Sequence, residues 1–364
     1  MPSLRPALLI ALLLAAAPGH AQRAGAAAPG EEPGAAPAIE IDAETEAAPD
    51  PASDPASGPE AGTGEEAGAS DVDLSTLMVI APWPRPLPLS DGRAGLSDRV
   101  SIEVDGTPVH GLLATPPGGP APVVLLLHGF TGDRDELDIA GAGEGVFART
   151  ARLLAEAGYA SLRIDFRGSG ESTEGFDFAR TTFDSQIADA QAALDWLAAD
   201  ARVLGRPYLI GWSQGGLVAA SVAGRGAPVE AVALWAGVAD PQITFATLFG
   251  PKMLEQGVLS PEPTSVTLPW GAEITLAQPF FEAILDADPL AEIARYDGPL
   301  FVAQGSEDAT VDPAQAEMWL SAHDGPEELW LREMDHAFDA YQGPDRLDEM
   351  VAATVAFFDL LGAP

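Results

Sequence analysis

Cysteine is absent from the 364 residues, and lysine occurs once, at Lys252. Without thiols the chain has no disulfide staple, no cysteine nucleophile and no thiolate metal site. Histidine is scarce too: His20, His110, His128, His323 and His336 are all there are. So few leave no visible metal constellation, and no cofactor is expected. Positive charge is the third shortage, with 18 Lys+Arg against 55 Asp+Glu and a formal net charge of −37. Residues 91–364 alone carry −27, so the acidity is not confined to the amino-terminal part. Nucleic acid and anionic membrane are poor partners for such a surface. Long apolar runs are short here as well. Ala7–Ala17 spans eleven residues, too few to cross a bilayer, which takes ~20.

That run, preceded by Arg5 and followed by Gly19-His20-Ala21, has the plan of a secretory signal peptide over residues 1–21. Residues 22–90 are Ala, Pro, Gly, Glu and Asp with few aromatic or β-branched side chains. Such a segment buries too little apolar surface to offset its ordering entropy and is expected to be a disordered acidic linker. One apolar patch, Leu77 to Trp83, is a candidate to dock as an extended strip. Residues 91–364 are long enough for one domain with a substantial core.

Within that domain Gly211-Trp212-Ser213-Gln214-Gly215 stands between a short buried strand, Pro207 to Ile210, and a small-residue helix from Gly216. A strand, a G-x-S-x-G turn and a helix in that order form a nucleophile elbow, which lifts the serine oxygen above the sheet edge. Serine is a weak nucleophile and needs a base, an orienting carboxylate and an oxyanion hole. The acid and then the histidine are expected downstream. His336 follows the strand Leu329-Trp330-Leu331 in a loop before the last helix, where the base belongs. His323 closes a helix and reads as a solvated C-cap residue. The acid is expected after the strand Pro299 to Gln304: Asp308 at the loop tip first, Asp312 next, although an N-cap role before Pro313 explains the latter. Glu307 reads as a solvated neighbour. The apolar run Val123 to Leu127 is a strand buried on both faces. It leads into His128-Gly129-Phe130-Thr131-Gly132, and the backbone amides of Phe130 and Gln214 are the expected oxyanion donors. His128 reads as a loop-stabilising residue.

Together with Asp165-Phe166-Arg167-Gly168-Ser169-Gly170-Glu171-Ser172, Gly305-Ser306-Glu307-Asp308 and Asp335-His336, these motifs resemble those of α/β-hydrolases. The likeness covers roughly residues 96 to 362. Within that superfamily the chain is most similar to the cinnamoyl/feruloyl esterases and the related serine aminopeptidase-like hydrolases. Trp212 is a departure, standing where those esterases usually carry His. The resemblance implies an ester hydrolase acting on a small molecule, with no nucleic acid, no membrane span and no obligate protein partner.

The rest of the pattern is consistent with that fold. Arg99 to Val104 and Val109 to Thr115, joined by Asp105-Gly106, read as a hairpin. Glu144–Ala157, Phe183–Ala199 and the segments after 305 and 332 alternate helix with strand. The expected architecture is a mostly parallel central sheet with helices on both faces. Residues 238 to about 290 interrupt the alternation and are rich in Pro and aromatics, among them Phe245, Phe249, Trp270, Phe280 and Phe281. They are expected to form a lid over Ser213, or else a satellite core beneath a long loop. Glu273, Glu282 and Asp286 in this insert are the groups that would meet a substrate ammonium if the enzyme were an aminopeptidase.

Overall fold

A computed structural model describes residues 84–90 and 92–362. The expected signal peptide, the strip Leu77 to Trp83 and most of the expected linker lie outside the described residues. The strands are β1 (Arg85–Pro88), β2 (Ala94–Val104), β3 (Thr107–Thr115), β4 (Ala121–Leu127), β5 (Ala160–Ile164), β6 (Val203–Trp212), β7 (Val232–Trp235), β8 (Thr264–Thr267), β9 (Glu273–Leu276), β10 (Leu300–Gly305) and β11 (Glu327–Arg332). The helices are α1 (Val146–Glu156), α2 (Phe183–Ala199), α3 (Gln214–Gly224), α4 (Pro241–Phe249), α5 (Pro251–Leu259), α6 (Gln278–Asp286), α7 (Pro289–Ile293), α8 (Ala314–Ala322) and α9 (Asp345–Leu360).

β4 shows how the sequence produces the layers. Successive side chains of a strand point to opposite faces. Val123, Leu125 and Leu127 pack with Leu194 of α2 and Leu217 of α3. Val124 and Leu126 pack on the other face with Phe147 of α1 and Phe358 of α9. All five β4 residues are fully buried, so the strand needs an unbroken apolar run and helices on both sides.

Nine described strands join in the order β1-β2-β3-β5-β4-β6-β7-β10-β11. From β5 to β11 every pairing is parallel; β1, β2 and β3 are antiparallel. The chain leaves β4 toward β5 on one side, then crosses back to β6 on the other. That reversal opens a crevice at the carboxyl ends of β4 and β6, the place where open α/β sheets bind ligands. The expected hairpin is β2–β3, and its turn residues Asp105 and Gly106 both have positive φ, 52° and 82°, as a two-residue twisted turn requires.

One boundary differs from expectation. β1 pairs antiparallel with β2 from Arg85 to Pro88, inside the stretch read as linker. Pro86 and Pro88 lack amide donors, which an outermost strand tolerates. The edge therefore accepts a sequence whose composition looks like linker. Between β7 and β10 the insert folds as α4, α5, the β8–β9 hairpin, α6 and α7. No helix among the described residues is long and apolar enough to cross a membrane.

Candidate active site

Ser213 sits between β6 and α3 with φ 55° and ψ −119°, a left-handed backbone that a serine adopts only under constraint. The constraint is visible in its neighbours. Its N–H donates to Trp235 O at 2.9 Å, and its carbonyl accepts from Gly216 N at 2.9 Å and Val238 N at 3.1 Å. The motif glycines serve close approach, not unusual torsion. A Cβ on Gly211 would overlap the Gly215 carbonyl, and one on Gly215 would overlap the Leu127 carbonyl. α3 can thus lie hard against β4 and β6, and the serine alone bears the strained turn.

His336 lies in the loop between β11 and α9. Its Nδ1 is 2.8 Å from Asp308 Oδ2. Asp308 Oδ2 also accepts from Gln304 Nε2 at 3.0 Å, and Oδ1 accepts from Thr310 N and Val311 N, both at 2.8 Å. Four donors on a buried carboxylate fix its plane. It in turn fixes the imidazole, with Nδ1 turned to Asp308 and Nε2 left for the cavity. The histidine loop is tied at its own ends: Asp335 Oδ1 accepts from Ala337 N and Asp339 N, and Asp339 Oδ1 accepts from Asp335 N. Trp212 adds a long-range tie, donating from Nε1 to His336 O at 3.2 Å. Its ring centroid lies 5.8 Å from the imidazole. The tryptophan that departs from the esterase pattern therefore buttresses the His336 loop.

Ser213, His336, Gly129 and Phe130 line one cavity of about 640 Å³. Gly129 abuts the serine, since a Cβ on it would sit 3.4 Å from Ser213 Cβ. Neither Phe130 N nor Gln214 N has an acceptor among the described residues, and Gln214 N opens α3, where the helix dipole favours negative charge. The ring of Phe130 packs 5.3–5.8 Å from Phe178, Phe245, Phe249 and Phe280, which ties this loop to the insert. Gln214 is buried, its Nε2 donating to Gln186 Oε1 at 2.5 Å.

The other candidates fall outside this group. His323 is the C-cap of α8, as expected, but it is buried and not solvated. Its Nε2 lies 2.9 Å from Gly298 O, and it stacks on Tyr296. Asp312 is exposed, and its carboxylate accepts from Ala314 N at the start of α8. Glu307 is exposed at the cavity rim. His128 is fully buried; Phe166 N donates to its Nε2 at 3.0 Å and its Nδ1 faces Gly129 O at 2.8 Å. Burial pushes its pKa down, in keeping with a neutral imidazole that joins β4 to the loop after β5. The 165–172 run is structural: Asp165 accepts from the Arg134 guanidinium, from Arg134 N and from Glu171 N, while Arg167 pairs with buried Asp189 at 2.6 Å.

The insert's aromatics divide. Phe245, Phe280 and Phe281 are buried in the main core, whereas Trp270, 57% exposed, and Leu248 line the cavity. Glu273, Glu282 and Asp286 are not among the lining residues; the carboxylates that are there are Asp133, Glu136, Glu307 and Asp335, and no Lys or Arg joins them. Of these Glu136 had no sequence signal. Asp133-Arg134-Asp135-Glu136 reads as a solvated charge run. No group of His, Asp and Glu among the described residues is arranged to hold a metal ion.

A family model of the alpha/beta hydrolase fold matches residues 122–249. No curated protein matches by sequence. Among solved structures, Est1E from Butyrivibrio proteoclasticus with ferulic acid bound superposes with a TM-score of 0.60 at 21% identity, over 71% of this chain and 97% of that one. The esterase domain of a Rhodothermus marinus protein gives 0.53 at 22% identity, over 72% and 97%. An esterase of Pyrococcus furiosus gives 0.53 at 21%, over 73% and 91%. Likeness at such identities is likeness of fold. The sheet order, the turn after β6 and the family match thus agree: the chain has the α/β-hydrolase fold, and esterases are among the solved structures that share it.

Proposed function

We propose that the chain is an exported serine hydrolase that cleaves carboxylic esters of small molecules. The observation that supports this most is a strained Ser213 opening on the same cavity as His336, whose other ring nitrogen is held by Asp308. Ser213 Oγ attacks the ester carbonyl while His336 Nε2 takes its proton. The Phe130 and Gln214 amides receive the negative charge that forms on the carbonyl oxygen. His336 then gives its proton to the leaving alcohol, and water, activated by the same imidazole, releases the acid from Ser213. Phe130, Trp212, Leu248, Trp270 and Tyr341 supply apolar walls suited to an aryl or acyl group. The apolar run Ala7–Ala17 with its flanks supports export to the periplasm or beyond.

Labelling by a fluorophosphonate probe tests the reading. Wild-type chain should label, and Ser213→Ala should abolish labelling and cut ester turnover by roughly three to six orders of magnitude. Retained labelling at the wild-type rate sinks the assignment. A series of p-nitrophenyl esters with methyl ferulate then defines the acyl preference. One observation favours a second reading, an aminopeptidase: four carboxylates and no cationic side chain line the cavity, which suits a substrate ammonium. Faster turnover of aminoacyl amides than of aryl esters would select it.

A further inference from the structure

Glu136 is the lining carboxylate with the least ordinary surroundings. It has φ 60°, a backbone state that a long L side chain rarely adopts. Its Oε1 accepts from Gly129 N at 2.5 Å. Gly129 abuts Ser213, and the turn it opens closes at Gly132, whose N–H donates to Gly129 O at 3.2 Å. A Cβ on Gly132 would overlap the Glu136 carboxyl. One carboxyl thus seats against both glycines that bound Phe130 and Thr131. The backbone there is bent against preference: Thr131 has φ 64°. Asp133 Oδ1 accepts from Asp135 N at 2.8 Å and Glu136 N at 3.1 Å, so the segment that presents Glu136 is itself pinned.

We propose that Glu136 is a positioning residue for hydrolysis, its carboxyl holding the Gly129–Gly132 turn in the shape that aims the Phe130 amide at the carbonyl oxygen above Ser213. The proposal rests on the serine hydrolase reading. Its physical basis is preorganisation: an oxyanion donor is effective only when fixed before charge develops, and a displacement of 1 Å can cost ~100-fold. The carboxyl's own protonation state enters as well. Burial pushes its pKa up to about 8, the Gly129 amide opposes the rise, and Asp133 adds to it. The other titratable groups on the cavity wall are Asp133, Glu307, Asp335, Tyr341 and His336; a negative charge at Glu136 would add to those of the three other carboxylates. Near neutrality Glu136 is a neutral acid that accepts from Gly129 through one oxygen. Above about pH 8 it becomes an anion beside a centre where negative charge must form.

The test compares wild type, Glu136→Gln and Glu136→Ala with p-nitrophenyl acetate from pH 6 to 10, with fluorophosphonate labelling of each. Glu136→Ala should lose roughly 10- to 100-fold in kcat with KM changed less than about threefold. Glu136→Gln, which keeps an acceptor for Gly129 N and a neutral partner, should restore most of the loss at pH 7. Wild-type kcat/KM should decline above about pH 8, and Glu136→Gln should not share that decline. If Glu136→Ala does not fold, the pH profile of Glu136→Gln decides. Wild-type kcat in Glu136→Ala, or the same alkaline decline in Glu136→Gln as in wild type, overturns the proposal. A wild-type chain that neither labels nor turns over esters instead overturns the reading of Ser213 beneath it.

Discussion

Asp308 and Asp312 stand four residues apart in one loop, and their surroundings divide them. Asp308 is buried with four donors, one of them His336, whereas Asp312 is exposed and accepts from one helix amide. Asparagine at 308 presents an amide where a carboxylate should face Nδ1–H, and it favours the wrong imidazole tautomer. If the proposed roles hold, Asp308→Asn should lower kcat by ~10⁴, as replacement of the orienting carboxylate does in serine triads. Asp312→Asn should stay within about threefold, because Asn caps a helix about as well as Asp. Steady-state kinetics on one aryl ester decides between them, and a reversed order would move the acid to 312. Sequence alone placed Asp308 ahead of Asp312 by loop position, and Asp308 is the one that meets His336, but it had no means of seeing Glu136. Its role depends on a positive φ and on contacts to Gly129 and Gly132, and neither is written in a run of charged residues.

At the scale of elements, the site is an assembly of loops each tied from elsewhere in the chain. β6 delivers both Ser213 and Trp212, and Trp212 reaches across to the β11–α9 loop to hold His336 O. One strand end thus carries Ser213 and steadies His336. Trp212→Phe keeps the ring and removes the N–H donor. The expected cost to stability is about 1 kcal/mol, the net worth of one hydrogen bond. The expected cost to kcat is roughly tenfold, with KM nearly unchanged, because the loop then samples positions off the reacting geometry. Unaltered kcat would show that Asp335, Asp339 and Asp308 hold the loop unaided. The insert is read differently at this scale too. Its aromatics were expected either as a lid or as a satellite core; most are core, through Phe245, Phe280 and Phe281, and Trp270 on the β8–β9 turn reaches the cavity. Composition named the segment, and only packing sorted its side chains.

For the whole molecule the dominant quantity is charge. Residues 91–364 hold 42 acidic against 15 basic side chains. Arg134, Arg149, Arg152, Arg167, Arg202, Arg225 and Arg346 already sit in ion pairs. Even complete pairing leaves an excess of 27 carboxylates. Their mutual repulsion acts over about 10 Å at 0.1 M salt and about 3 Å at 1 M. The melting temperature should therefore rise from low salt to about 1 M NaCl, with chloride used because sulfate strengthens apolar burial by itself. A flat or falling curve in differential scanning calorimetry would mean that the carboxylates are spaced widely enough not to repel.

The sequence by itself determined the fold class and the parallel order of strand and helix. Those features are local. An apolar run buried on both faces, a glycine where backbones touch and a loop after each strand depend on neighbours a few residues away. The tertiary structure alone decided that Arg85–Pro88 adds an edge strand, that His323 is buried on Gly298 O, and that Trp212 braces His336. It also decided which carboxylates face the cavity. The Trp212–His336 contact joins residues 124 apart and the His323–Gly298 contact residues 25 apart, and the edge strand pairs only because β2 already lies in the sheet. A side chain's environment is fixed by what packs against it, and for such partners no local pattern records the meeting.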